Sequence, residues 1–139
     1  MLIQEFVDSS AGIPAIVEGV HDVRAFVFGE TVWYYAVRQA QGEDFRCNVH
    51  QWGTTRNILP DQIPVHLASH VQQIIDKVNT IIDSKTNIYS IDFFVDAQGN
   101  FRLIELNSNP GWQTLQGDPL FMQLHADLLL GVCERICAK

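Results

Sequence analysis

The chain has 139 residues, of which 47% are hydrophobic and 18% charged, and carries a net charge of −7. These values fit one globular domain with a real core and exclude a disordered segment. They also exclude non-specific nucleic-acid binding, which needs a basic surface, and no apolar run approaches the roughly 20 residues of a membrane span.

In chain order, "LIQEFV" (residues 2–7) reads as a strand already under way at the first residue. Residues 8–22 have the Gly, Pro and Ser punctuation of a loop around a short apolar patch. Residues 23–38 read as two strands about a Gly29-Glu30 turn, with Trp33 and Tyr35 as packing residues. Residues 39–57 are polar and glycine-punctuated, with a short extended piece near 45–49. That is long for a connection, and long connections often carry function. Residues 64–85 form the clearest helix. Leu67, Val71, Ile74, Val78 and Ile81 give the stripe, and Ala68, Ile75 and Ile82 widen it. His66 and His70 share an exposed face of it, and the five histidines show no ligand spacing. A hairpin follows at 90–111. A second helix closes the chain at 118–138, with Asp118 as cap and Pro119 in the first turn. Apolar residues nearly encircle this helix, and Cys133 and Cys137 on it are read as packing residues. Cys47 makes the cysteine count odd, which points to a reducing compartment, and residues 1–10 lack the pattern of a signal peptide. A cytoplasmic protein is expected. Strands, helix, hairpin, helix imply an α+β domain: an antiparallel sheet with two main helices packed on one face, as a single domain over 1–139.

The hairpin "SIDFFVDAQGNFRLIELNSNPG" carries the chemistry. With the turn centred on Gln98-Gly99, Asp92 falls opposite Glu105 and Ser90 opposite Asn107, and all point to one side. Two carboxylates that close repel unless a cation lies between them. A divalent metal suits them, and Asn107 adds a neutral oxygen. The alternative is a polar face that meets only water, the packed side being Ile91, Phe93 and Val95 with Ile104 and Leu106.

Those residues resemble the C-terminal signature of ATP-grasp ligases: an Asp in an apolar strand, a Gly turn, then Glu-x-Asn before Pro-Gly. "LIQEFV" is similar to that family's hinge strand. "HDVRAFVFGETVWYYAVRQAQGEDFRCNVHQWG" is similar to its Asp-x-Arg strand, the next strand and its Asp-Phe-Arg-x-Asn loop. The likeness is greatest to glutamate ligases that modify a ribosomal protein, and to glutathione-synthetase-like and peptide-maturation ligases. The resemblance implies ATP and Mg²⁺ (or Mn²⁺) as cofactors. Asp92, Glu105 and Asn107 would hold the metal, and Glu5 and Phe6 would sit at the adenine and ribose edge. Asp22 would lie near the ribose, Arg46 and Asn48 at the phosphates or acyl-phosphate, and Arg38 would orient a carboxylate or phosphate. Arg46 and Arg38 would be the catalytic pair. Trp52 and Trp112 lie beside this site.

The implied activity is carboxylate–amine ligation through an acyl-phosphate. The chain departs from the family in having only Lys77, Lys85 and Lys139 and no glycine-rich phosphate loop. The expectation is therefore the C-terminal subdomain without the lid and N-terminal domain, weak in ATP binding and inactive alone. It would form a homodimer or associate with the missing half. The alternative is a non-catalytic remnant that serves as a dimerising or nucleotide-sensing scaffold.

Overall fold

The computed structural model of the chain describes residues 7–41, 54–82, 87–111 and 119–137. The elements are β1 (His21–Phe28), β2 (Thr31–Gln39), β3 (Thr54–Ile58), a 3-10 turn (Pro60–Gln62), α1 (Val65–Ile81), β4 (Ile88–Val95), β5 (Phe101–Asn107) and α2 (Pro119–Cys137). They build one antiparallel sheet in the order β3-β2-β1-β4-β5. Residues 2–6 of the expected hinge strand and the extended piece at 45–49 lie outside the described residues.

β1 and β2 are rich in Val, Phe and Tyr, side chains that suit a pleated surface. Phe28 pairs with Thr31, leaving Gly29 and Glu30 as the loop, and Gly29 takes φ 59°. A left-handed residue is what lets so short a loop follow the strand twist. β3 forms within the stretch that the sequence presents as a connection. Its residues TTRNI carry little apolar alternation, because it is an edge strand anchored by Ile58 alone, the one buried residue of the five.

The two helices do not share a face, contrary to the sequence expectation. Val23, Ala25 and Val27 of β1, Tyr35 and Val37 of β2, and Ile91, Phe93 and Val95 of β4 pack with Leu67, Val71 and Ile75 of α1. The alternate residues Phe26, Tyr34 and Ala36 pack instead with Phe121 and Leu124 of α2. The central strands are apolar on both sides, so each side needs its own cover. In α1 the buried line is Leu67, Val71 and Ile75, each 0% exposed, whereas Ile81 is 82% exposed. Each buried side chain contributes about 1.5–3 kcal/mol, against tenths for helix propensity, so packing on the sheet holds α1. In α2, Phe121 and Leu128 are buried, while Leu120, Met122, Leu129 and Leu130 remain exposed. Cys133 and Cys137 are exposed free thiols rather than packing residues, because they lie beyond the part of α2 that meets the sheet.

The loop before β1 is a plug. Ile13 enters the α1-side core at 2% exposure. Its N–H donates to the Val17 carbonyl at 2.8 Å, and the Ile16 and Val17 N–H groups donate back to the Ile13 carbonyl. Gly12 has φ 73°, and a Cβ there would lie 2.2 Å from the Val17 carbonyl oxygen. The plug is tied to the β4–β5 turn by Ala97 N–H donating to the Asp8 carbonyl at 2.9 Å.

Candidate functional site

The β4–β5 hairpin positions the acidic residues, and it does so by an unexpected route. The loop has three residues, 97–99, closed by Gly99 N–H to the Asp96 carbonyl and Asp96 N–H to the Asn100 carbonyl, each 2.9 Å. Gly99 takes φ 84°, as such a loop requires. The buried Asp96 carboxylate organises it, accepting from Gln98 N (3.0 Å), Asn100 N (2.8 Å), Asn100 Nδ2 (3.2 Å) and Arg102 Nε (2.8 Å). Burial pushes its carboxyl up, but these donors outweigh that and bring it down to about 2. From this loop Val95 pairs with Phe101 and Phe93 with Leu103. Continued unbroken, that register would set Ile104 against Asp92. A bulge intervenes, Ile104 is passed over, and Asp92 pairs with Glu105 and Ser90 with Asn107. The expected pairing holds, but a three-residue loop and a bulge produce it, not a two-residue turn.

On this side of the sheet Asp92 lies opposite Arg24 of β1. Arg24 donates a forked pair to it, Nε to Oδ1 at 2.8 Å and Nη2 to Oδ2 at 2.6 Å. Arg38 adds a third bond, Nη2 to Oδ2 at 3.0 Å, and its Nε donates to Asp22, its partner across β1 and β2. The side chains of Arg24, Arg38, Asp22 and Asp92 are 12%, 9%, 17% and 3% exposed. Arg24 is held above its ordinary value chiefly by its bond to Asp92, against the pull of burial, with help from Asp22 and Glu105. Burial raises the Asp22 carboxyl, and Arg38 opposes the shift. Such a buried set contributes little net stability intact, but stripping one partner costs about 3–5 kcal/mol. It fixes geometry more than it strengthens the fold.

This changes the electrostatic argument drawn from sequence. The cation bonded to Asp92 beside Glu105 is Arg24, so the closeness of the two carboxylates does not by itself call for a metal. Arg24 was legible as the Arg of the Asp-x-Arg strand, but its partner needed the β1–β4 register. Glu105 is exposed and has no ion pair among the described residues. Asn107 is half-buried, its Oδ1 accepting the Asn109 N–H at 3.0 Å. Ser90, 0% exposed opposite Asn107, has an Oγ without a partner. The expected packed side of β5 is half open: Leu103, Ile104 and Leu106 are 48%, 48% and 49% exposed. The remaining expected site residues, Glu5, Phe6, Arg46, Asn48, Trp52 and Trp112, lie outside the described residues.

A carboxylate offers about four lone-pair positions. Among the described residues, three on Asp92 are taken, leaving one on Oδ1, Glu105 has no ion-pair partner, and the Asn107 oxygen keeps a second lone pair. No group of three His, Cys, Asp or Glu among the described residues is arranged to hold a metal. The donor set thus fits a cation that brings oxygen ligands of its own, as Mg²⁺ does with phosphates, and does not form a self-sufficient protein cage. Two grooves flank the plug, of about 780 and about 570 Å³; the first is lined by Ile16, Val37 and Arg56, the second by Pro14, Leu67 and Asp96. Neither reaches Asp92.

Residues 1–119 match the family model described as the RimK-like ATP-grasp domain. A "Probable alpha-L-glutamate ligase" of Rhodopirellula baltica is 29% identical over 116 residues, which is 84% of this chain and 24% of that protein. A "Probable alpha-L-glutamate ligase" of Coxiella burnetii is 29% identical over 118 residues, 84% of this chain and 33% of that one. The chain therefore spans a quarter to a third of the length of these relatives. Among solved structures, ATP-grasp ligase PsnB complexed with minimal precursor, Mg and ADP aligns at TM-score 0.47 and 21% identity, over 78% of this chain and 33% of that one.

Proposed function

The chain belongs to the RimK-like ATP-grasp domain family, and from that premise we propose that it supplies the metal- and phosphate-binding part of an ATP-dependent carboxylate–amine ligase. The observation that carries the reading is Asp92 directly opposite Glu105, with Asn107 on the same side, inside the matched region. On this reading Asp92 through its open Oδ1 position, Glu105 and Asn107 hold Mg²⁺ or Mn²⁺. A bound divalent cation would neutralise the charge that moves between phosphate oxygens during transfer. Arg46 and Asn48 reach the phosphates, and Glu5 and Phe6 face adenine and ribose. Arg38, fixed by Asp22, presents its remaining donors to a carboxylate or phosphoryl oxygen. Asp22 then acts by positioning Arg38, not by binding ribose.

The reaction balances in two steps. A substrate carboxylate attacks the γ-phosphorus and ADP leaves, giving an acyl-phosphate. An amine then attacks the carbonyl carbon, losing its proton, and phosphate departs. The relatives' name makes glutamate the amino acid to try first. The 139 residues alone bind nucleotide weakly and turn over little, because half a cleft leaves the phosphates in water. A scaffold reading is favoured by one observation: Asp92 is neutralised by arginines without any metal.

Calorimetric titration with Mg-ATP tests the assignment on the wild type, Glu105→Ala and Asn107→Ala. Each variant should bind at least about tenfold more weakly. Unchanged affinity in both would remove the metal role and leave the scaffold.

A further inference from the structure

On the same side of the sheet, the metal reading above meets an obstacle that is itself informative. Three of the roughly four acceptor positions on Asp92 are filled by two arginines, at 2.8, 2.6 and 3.0 Å. Among the described residues, the local carboxylates are Asp22, Asp92 and Glu105 and the guanidinium groups are Arg24 and Arg38, so one negative charge remains among these five. A divalent ion arriving alone would overshoot that charge and face the Arg24 fork on the same carboxylate. A metal arriving with a polyphosphate brings compensating negative charge and offers the fork new pairs of acceptor oxygens.

We infer that Arg24 is a stand-in cation for the site: it holds Asp92 until metal and phosphate enter together, so that a divalent metal alone binds weakly. The inference rests on the metal reading. It makes Arg24 a positioning residue whose bonds to Asp92 are exchanged for phosphate when the substrate pair arrives. The coupling is reciprocal. Phosphate improves metal affinity by freeing Asp92, and metal improves phosphate affinity by freeing Arg24. Arg38 remains on Asp22 throughout and keeps its guanidinium in place.

The test is titration of the 139-residue chain with Mn²⁺ alone, followed by electron paramagnetic resonance of the free ion. Arg24→Met should bind Mn²⁺ about tenfold more tightly than the wild type, within the usual range of such couplings. Arg24→Lys keeps the charge but loses the fork and should fall between the two; it also carries the test if the Met variant does not fold. Mn²⁺ should raise the thermal midpoint of either variant more than that of the wild type. Adding Asp92→Asn should abolish the gain. If neither Arg24 variant binds Mn²⁺ more tightly while Asp92→Asn still weakens binding, Arg24 is no stand-in and the metal reading survives. If Asp92→Asn leaves Mn²⁺ affinity unchanged in every background, the metal reading falls and the inference with it.

Discussion

His21 is held as one neutral tautomer. Its Nδ1 donates to the Gly19 carbonyl at 3.0 Å, and its Nε2 accepts the Val95 N–H at 3.3 Å, stitching the start of β1 to the end of β4. Burial lowers its pKa, ahead of the hydrogen bonds that favour the charged ring. The unfolded chain takes up a proton near pH 6.5, while the folded chain resists until lower pH. Stability is then complete above that value and declines as pH falls below it. Urea unfolding at pH 7.5 and 5.5 should show this loss. It should shrink in His21→Gln but not vanish, since burial lowers His125 in the same sense. No signal in the sequence marked His21 as a cross-link, because both its partners are backbone groups brought in by the fold. Arg24 differs. Its type and its motif were visible, and only its target was hidden, 68 residues away.

At the scale of elements, the β4–β5 hairpin depends on Asp96. Its four acceptor contacts replace a tight turn's own geometry and hold the carboxyl at about 2. The stabilisation it gives is present above the ordinary carboxylate range and is lost as pH falls from about 4 towards 2. Asp96→Ala should lower the urea midpoint at neutral pH and flatten the acid limb below pH 4. An unchanged midpoint would mean that Gly99 alone sets the loop. Sequence periodicity located this hairpin, and α1 and α2, because apolar spacing is a direct record of which sides are covered. It did not reveal β3, whose polar residues are held by pairing with β2. Nor did it tell which side of the sheet each helix covers, since residues such as Phe26 and Val27 are apolar on both.

Across the whole molecule, apolar surface remains open on β5 and on α2. Leu103, Ile104 and Leu106 are about half exposed on an edge strand, and Leu120 and Leu130 are 54% and 63% exposed. Patches of this kind favour association, and an unpaired edge favours strand addition. No helix among the described residues is long and apolar enough to cross a membrane. Sedimentation velocity should therefore show concentration-dependent self-association. Leu103→Lys combined with Leu106→Lys should reduce it without unfolding the sheet, and a wild type that sediments as a monomer at all concentrations would remove this expectation.

Ile104 gives the hairpin a property that an even ladder would lack. One surplus residue, set between the turn and the acidic pair, works as a half-step in the pleat. Take away the half-step while keeping the residue, and Glu105 and Asn107 rotate to the α1 side as Ile104 and Leu106 take their places. Excise Ile104 itself, and the ladder closes evenly with Glu105 still facing Asp92. The side on which Glu105 and Asn107 stand is thus set by whether the surplus residue is absorbed as a bulge, and not by the number of residues between them and Gly99.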